Sequence, residues 1–327
     1  MTRRDCPMCG SRDGKTLVAI RAEQFCRLNS TYRAEAWENL GIQRDASFPI
    51  VECRCCRFVF AGLLPSPEFL ETIYETVIDA QRGLFEAGDP AWVAHQLELG
   101  GLLLRGLAAA FAFEHDFRVL DFGCGYGSLV NALSGPRVRC LGYESSRRRL
   151  AFLRDNGIPA SDTIDAVRKE GPFHAVVLSD VLEHVSDPRR LLGTCRDLLA
   201  PNGLLLVNVP NFEERRLRAA RQDLTRGVHR DREVNPWEHL NYFSPRSLDR
   251  MLKDEGLRVV DMARPVDIGL RAGLTGTRRW VNAVRSAGRL GWRLVAPRTV
   301  GTCRLAQRCP TFRRDSVPDS RGDERRG

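Results

Sequence analysis

Two histidines in this chain of 327 residues stand beside carboxylates in patterns suited to moving a proton. His184 stands in the segment SDVLEHV, with Asp180 and Glu183 just before it, and His239 follows Glu238 in NPWEHLNYFSPRSL. An imidazole titrates near neutrality, and an adjacent acid can fix its tautomer or stabilise its charged form. The bland reading of LEH, a structural helix start with His184 bonded to backbone, stays open beside that one. A second pattern lies in VLDFGCGYGSLVNAL, residues 119–133, where an apolar run ends at Asp121 and gives way to Gly123, Gly125 and Gly127. Glycines there allow a tight turn and let bare backbone approach a ligand. A helix beginning near Ser128 would aim N–H groups at an anionic group such as a carboxylate. The next apolar run, VRCLGYE, ends at Glu144, which can accept hydroxyls of a ribose. With Ser128 as the third small residue, the turn also fits a dinucleotide fingerprint, and a nicotinamide cofactor would use the same acid.

A third pattern is two C-x-x-C pairs, Cys6 with Cys9 and Cys53 with Cys56, with Cys26 and Cys55 as spare thiols. Each pair can fill two corners of a zinc tetrahedron, and a small, loop-rich front region needs such a staple. Four thiolates leave no open position, so the predicted Zn2+ is structural. Neither pair opens a helix in a βαβ unit, which argues against a redox role.

Elements of a definite kind must carry these residues. RVLDFG, VRCLGYE, HAVVLSD, GLLLVNVP and LRVVDM read as strands, separated by helical patterns, from Arg118 to about Arg264. That alternation predicts an α/β fold with a doubly wound, Rossmann-like, mostly parallel sheet, with a small N-terminal zinc-binding region and a basic C-terminal tail. The boundaries expected are 1–62 for the cysteine-rich region, 63–114 for a helical connector or lid, 115–264 for the cofactor-binding domain, 265–298 for a basic amphipathic segment and 299–327 for a disordered tail. Ser244 and Pro245 should open a helix ending near Gly256, which puts His239 in the loop after the strand GLLLVNVP. His184 follows the strand HAVVLSD, so both histidines face the crevice at the carboxyl ends. The charged insert FEERRLRAARQDLTRGVHRDREV reads as a solvated helical arm, or a lid that excludes water.

Charge and composition narrow the classes. The net charge is +9, but residues from Arg264 onward hold 15 basic and 5 acidic side chains, +10, leaving −1 for the first 263. A near-neutral body without a basic, aromatic-interleaved face argues against nucleic acid as the partner. The N-terminal MTRRDCPMCG has no apolar stretch, and 11 cysteines, an odd number, do not suggest a disulfide framework, so a cytoplasmic protein is expected.

VLDFGCGYG, LGYE, FHAVVLSDVLEHVSDP and LAPNGLLLVNVPN occur in that order across roughly residues 90–263. The set resembles class I S-adenosylmethionine-dependent methyltransferases and decides between the two cofactors: the ligand carries a carboxylate and a ribose but no phosphate. The resemblance implies that Asp121, Gly123 and Gly125, with Gly127 in the same turn, line the methionine end of S-adenosyl-L-methionine. Glu144 would hold the ribose, Asp162 would lie near the adenine, and Asp180 would join the cofactor set. CRCCRFVFAGLLPSPEFLETIY resembles the zinc-bearing front end of sugar C-methyltransferases and of enzymes encoded with polysaccharide or natural-product pathways, with Arg57 where a glycine is usual. EHLNYFSPRSL resembles a segment of the sugar enzymes in which a Glu–His pair serves deprotonation next to a carbonyl. That makes His239 the base and Glu238 its assistant, although Pro236 and Trp237 replace a Tyr-His pair and so remove a tyrosine contact. A similar His-x-x-x-Phe-Ser pattern occurs in methyltransferases with other acceptors. In the ubiquinone-pathway O-methyltransferases the acid and histidine of the SDVLEHV turn are associated with a divalent metal, which makes His184 the second catalytic candidate.

The expected activity is methyl transfer to a small-molecule acceptor, such as a nucleotide-linked sugar, a glycan or a secondary metabolite. Its rivals are a nicotinamide oxidoreductase on the same sheet and a zinc-ribbon nucleic-acid-binding protein or RNA methyltransferase. In residues 271–298, Trp280, Val284, Ala287, Gly291 and Leu294 share one helical face, and Arg285, Arg289 and Arg293 form a stripe. That pattern suits peripheral contact with an anionic membrane surface, or a helix packed on the protein with its arginines in water.

Overall fold

Strand-forming sequence begins almost at the first residue. The computed structural model describes residues 1–28, 41–43, 45–78, 90–111, 116–212, 214–226, 234–260 and 301–308. Its front part holds β1 (Thr2–Arg3), β2 (Gly14–Arg21), α1 (Ala22–Leu28), β3 (Ser47–Cys53), β4 (Val59–Ala61) and β5 (Leu63–Leu64). In β2, Val18 and Ile20 are buried while Ala19 and Arg21 are exposed, the alternation of a half-covered strand. A connector follows: α2 (Pro67–Thr72), capped by the Ser66 hydroxyl, a π-helical turn Ile73–Ile78, and the long α3 (Pro90–Phe111).

The remaining elements are β6 (Phe117–Phe122), α4 (Ser128–Leu133), β7 (Val138–Tyr143), α5 (Arg147–Asp155), β8 (Ala160–Ser161), α6 (Ile164–Glu170), β9 (Phe173–Ser179), α7 (Pro188–Leu198), β10 (Leu199–Pro210), α8 (Glu214–Thr225), β11 (Asn241–Tyr242), α9 (Pro245–Asp254), β12 (Leu257–Val260) and β13 (Gly301–Arg308). Seven strands form one sheet in the order β12-β13-β10-β9-β6-β7-β8. β10, β9, β6, β7 and β8 run parallel, and β13 is antiparallel to both of its neighbours. The parallel core is apolar on both faces, as in Leu204, Leu205, Leu206 and Val207 of β10. Strand order reverses between β6 and β9, and the crevice of such a sheet opens at the carboxyl ends of those strands.

The five strands and the parallel sheet expected from the sequence are present. The C-terminal boundary is corrected: residues 299–327 do not all form a tail, because Gly301–Arg308 runs between β10 and β12. Leu305 and Ala306 pair with Leu206 and Leu205 of β10, and Ala306 is fully buried, so the ladder pairing and the buried alanine hold an otherwise polar segment. The amphipathic pattern of 271–298, and with it the membrane-contact reading, lies outside the described residues, as do parts of the charged insert. No helix among the described residues is long and apolar enough to cross a membrane.

The front region is not closed off at residue 62 either. Its second sheet has the order β11-β4-β3-β2, and β11 comes from the loop bearing His239. Asn241 pairs with Phe60 and Tyr242 with Val59. Trp237, from the same loop, is fully buried against Phe25, Phe48 and Phe69, with ring centroids 4.8, 5.5 and 6.3 Å away. An indole on that cluster anchors the loop by apolar area and edge-to-face ring contacts.

Candidate functional site

β6 ends in the glycine turn. Gly123 and Gly127 combine left-handed φ of +80° and +76° with lack of room: a Cβ would lie 2.7 Å from Val181 Cγ2 and from Leu153 Cδ2, respectively. Gly125 differs, for a Cβ there would meet no atom within 4 Å while its φ is +56°. Open space above left-handed backbone is the form of a surface that admits a ligand close to the main chain. Asp121, beneath the turn, is 4% exposed, and its carboxyl is pushed up to about 7, by burial first and by nearby Glu144 second.

Glu144, just after β7, is also buried and held by three backbone donors. Gly125 N–H donates to Oε2 at 2.9 Å, and Ser145 and Ser146 N–H donate to Oε1 at 2.8 and 2.9 Å. Arg149 adds a contact to Oε2 at 3.6 Å. Three donors occupy most of a carboxylate's roughly four acceptor positions, fixing its direction and leaving one for an outside hydroxyl. The stiff carboxylate and open backbone fit the ribose and methionine ends expected of the cofactor. Asp162, on the loop after β8, is exposed. Asp180, after β9, has the left-handed φ of 54° and accepts from Asn208 Nδ2 at 3.4 Å, while Asn208 meets His95 Nε2 of α3 at 3.3 Å. The sequence reading singled out neither Asn208, an interior position of LAPNGLLLVNVPN, nor His95, in the helical connector.

The two histidine segments meet. The rings of His184 and His239 lie 4.7 Å apart, nearly perpendicular. The carbonyl of Glu238 can only accept, so His184 Nδ1, 2.9 Å away, donates to it and Nε2 keeps the lone pair. That lone pair stands 3.7 Å from Oε1 of Glu183, which is 1% exposed. Burial, and secondarily His239, depress the His184 imidazole to about 3, so it is neutral. Glu183, His184 and His239 place one ligand atom each within 4.8 Å of one another. A site facing two lone-pair groups suits an O–H, an acidic C–H or a cation. The Glu238 carboxylate accepts from Asn235 Nδ2 at 2.6 Å. Asn235 Oδ1 accepts from the N–H of Trp237 and Glu238 at 3.1 and 3.3 Å, which shapes the turn.

Tyr74 was missed in the sequence, lying in a connector with no catalytic pattern. Its ring stands edge-on to His184 with centroids 6.0 Å apart. Its hydroxyl is buried with no hydrogen-bond partner among the described residues. Burial, then the charges of Glu238, Glu183 and Glu144, hold the phenol well above its ordinary value, while Arg149 opposes them. Tyr74 thus packs against His184 and lies within electrostatic reach of Glu144 and Arg149.

The four cysteines also converge. Cys6 and Cys56 sulfurs are 3.5 Å apart, Cys9 and Cys53 sulfurs 3.6 Å, and all four lie within 4.8 Å of one another. Zn–S bonds of about 2.3 Å require tetrahedral edges of about 3.8 Å, so the set fits the ion with little adjustment. After each second cysteine the backbone turns left-handed, at Gly10 (φ 73°) and at Arg57 (φ 66°). Arg57 thus adopts the conformation of the glycine it replaces, and its guanidinium reaches Glu52 at 3.0 Å.

A parallel sheet with an antiparallel strand beside β10, a glycine turn after the first strand and a buried acid after the second define the class of fold, that of class I S-adenosylmethionine-dependent methyltransferases. Residues 93–262 match the methyltransferase domain family, and the chain belongs to that family. Similar proteins include the ubiquinone biosynthesis O-methyltransferase of Cereibacter sphaeroides (strain ATCC 17029 / ATH 2.4.9), 33% identical over 115 residues, 33% of this chain and 46% of the relative. That of Thiobacillus denitrificans (strain ATCC 25259 / T1) is 26% identical over 161 residues, 44% of this chain and 66% of the relative. The chain spans about half the length of the first of these, 46%. The fold is shared with the plantazolicin methyltransferase BamL, solved with a triazolic desmethylPZN analog and SAH, at a TM-score of 0.51 and 11% identity, covering 73% of this chain and 94% of that one. Membership in this family removes the nicotinamide oxidoreductase as a reading of the glycine turn.

Proposed function

We propose that the protein transfers the methyl group of S-adenosyl-L-methionine to a small molecule that surrenders a proton at His239, with His184 and Tyr74 completing the acceptor site. The observation that carries this reading is the meeting of both histidines with Glu183 and Tyr74 at the carboxyl end of β9. The sulfonium of the cofactor supplies an already activated methyl group, so the chain's task is alignment, exclusion of water and removal of a proton. Asp121 and the Gly123–Gly127 turn take the methionine end, with Asp180 beside them; Glu144 takes the ribose and Asp162 the adenine side. His184, neutral and fixed as the Nδ1–H tautomer, offers Nε2 to an acceptor O–H. His239 removes the proton, and Glu238 assists, its carboxylate tied to Asn235 in the turn that holds this loop. Nucleotide-linked sugars, glycans and phenolic secondary metabolites present suitable O–H or acidic C–H groups. Cys6, Cys9, Cys53 and Cys56 hold a structural Zn2+.

Labelled-methyl transfer to a panel of nucleotide-linked keto-sugars and phenols tests the assignment. His239→Ala should bind S-adenosylhomocysteine normally and lose about 10²-fold or more in turnover. Unchanged turnover would remove His239 as the base. A second reading, favoured by the close donors of Glu183, His184 and His239, places a divalent cation there to polarise the acceptor oxygen. It requires turnover that EDTA abolishes and Mg2+ or Mn2+ restores.

A further inference from the structure

We propose that Arg4 is a positioning residue: one guanidinium, rooted beside the four-cysteine cluster, holds the two histidine-bearing loops in register. Arg4 is 8% exposed, and its side chain lies against the ring of Phe60 at 6.0 Å. Nη1 donates to the carbonyl of Leu240 at 2.6 Å, and Nη2 donates to the carbonyl of Ser186 at 2.5 Å and to Oδ1 of Asn241 at 2.9 Å. These acceptors belong to two separate segments, one just after His184 and the other just after His239. No carboxylate is among them, so the side chain serves by the number and plane of its donors, not by an ion pair. A planar fork can serve several acceptors at fixed angles, whereas an ammonium cannot match that geometry.

The clamp is completed from the other side by Asn241. Its Nδ2 donates to the carbonyls of Leu182 and Val185 at 2.9 and 2.8 Å. The N–H groups of Leu240 and Asn241 both donate to the carbonyl of Glu183, at 2.7 and 3.0 Å. Arg4 itself is tied at its backbone: Thr2 and Arg3 pair with Leu64 and Leu63, Arg4 N–H donates to Gly62 carbonyl at 3.0 Å, and Cys6 enters the sulfur cluster. A continuous path of bonded groups therefore runs from the cysteine cluster through Arg4 to the turn that sets the His184–His239 spacing. The sequence showed Arg4 only as one of two arginines before the first cysteine.

The proposal rests on the reading of the histidines as the acceptor site for its importance, but its test needs neither acceptor nor cofactor. The full chain, labelled with 15N at histidine, is compared with Arg4→Lys and Arg4→Met by long-range imidazole spectra, and thermal unfolding and S-adenosylhomocysteine titration check each variant. In the parent protein His184 should show a single Nδ1–H tautomer. Both variants should unfold cooperatively and bind S-adenosylhomocysteine as the parent does, yet show His184 averaged between tautomers. Added guanidinium at non-denaturing concentration should return Arg4→Met to the single form. An unaltered His184 tautomer in both variants, full retention of it by lysine, or joint loss of cooperative unfolding and cofactor binding would each overturn the assignment. Failure of the His239→Ala turnover test would instead strike the function alone and leave this result standing.

Discussion

Replacing Glu144 by glutamine tests the cofactor side of the site most directly. The carboxylate meets three N–H donors, two on Oε1 and one on Oε2. A glutamine with its oxygen in place of Oε1 keeps the bonds from Ser145 and Ser146 but turns an NH2 group toward the N–H of Gly125. A buried donor left without an acceptor costs about 1–3 kcal/mol, which at about 2–4 °C per kcal/mol should be visible in the melting of the cofactor-free protein. Binding suffers separately, because the ribose loses a charged acceptor worth about 1.5–3 kcal/mol, roughly 10- to 100-fold in Kd. Isothermal titration with S-adenosylhomocysteine reads the second effect and thermal unfolding without ligand reads the first. A lowered melting temperature with unaltered affinity would refute the reasoning: Glu144 would then only staple the glycine turn, and the ribose would be held elsewhere.

A chain ending at Arg264 should fail to fold, and one ending at Arg308 should unfold cooperatively, because β13 supplies the bonds between β10 and β12; circular dichroism melts of the two decide it. Cys53→Ser should lower bound zinc below stoichiometric and reduce the melting temperature, as metal analysis and calorimetry will show. The His184 imidazole is depressed to about 3 in the folded protein against about 6.5 unfolded, so between these values only the unfolded state binds the proton. Stability should be unaffected by this group above pH 6.5 and fall as pH drops, by about 2 kcal/mol at pH 5, a loss that denaturant melts should show His184→Gln to lack. Tyr74→Phe should melt at or above the parent temperature, since the lost hydroxyl has no partner among the described residues, while turnover on the true acceptor falls; a lower melting temperature would mean the hydroxyl is structural.

What was legible in the sequence is what local pattern encodes. The apolar runs of β6, β9 and β10, buried on both faces, and of β7, buried on one, could be read directly, as could the Ser244 cap of α9, present with its capping box. The cysteine pairs predicted a cluster, and the sulfurs do converge. β13 was invisible because GTCRLAQR is polar except at its middle, and only the neighbours it slots between explain its burial. Tyr74, Asn208 and His95 were missed for a related reason: each reaches the site from an element remote in sequence. Asn235 shows what a motif leaves out: it stands three residues before Glu238 and was not singled out, yet its amide donates to that carboxylate within the turn.

The order of the strands bears on how the protein is made. β12 leaves the ribosome before β13, yet β13 lies between β12 and β10, and residues 261–300 must be synthesised before it arrives. Until then the nascent sheet has β10 as a raw apolar edge, with the backbone donors and acceptors of Leu204–Pro210 unpaired on one side. Such an edge invites pairing with another chain. The final association is also of long sequence separation, Leu204 with Gln307, and contacts of that kind form slowly. Completion of the sheet thus waits for residue 308, and a nascent chain stalled before that point is the species a chaperone would need to shield.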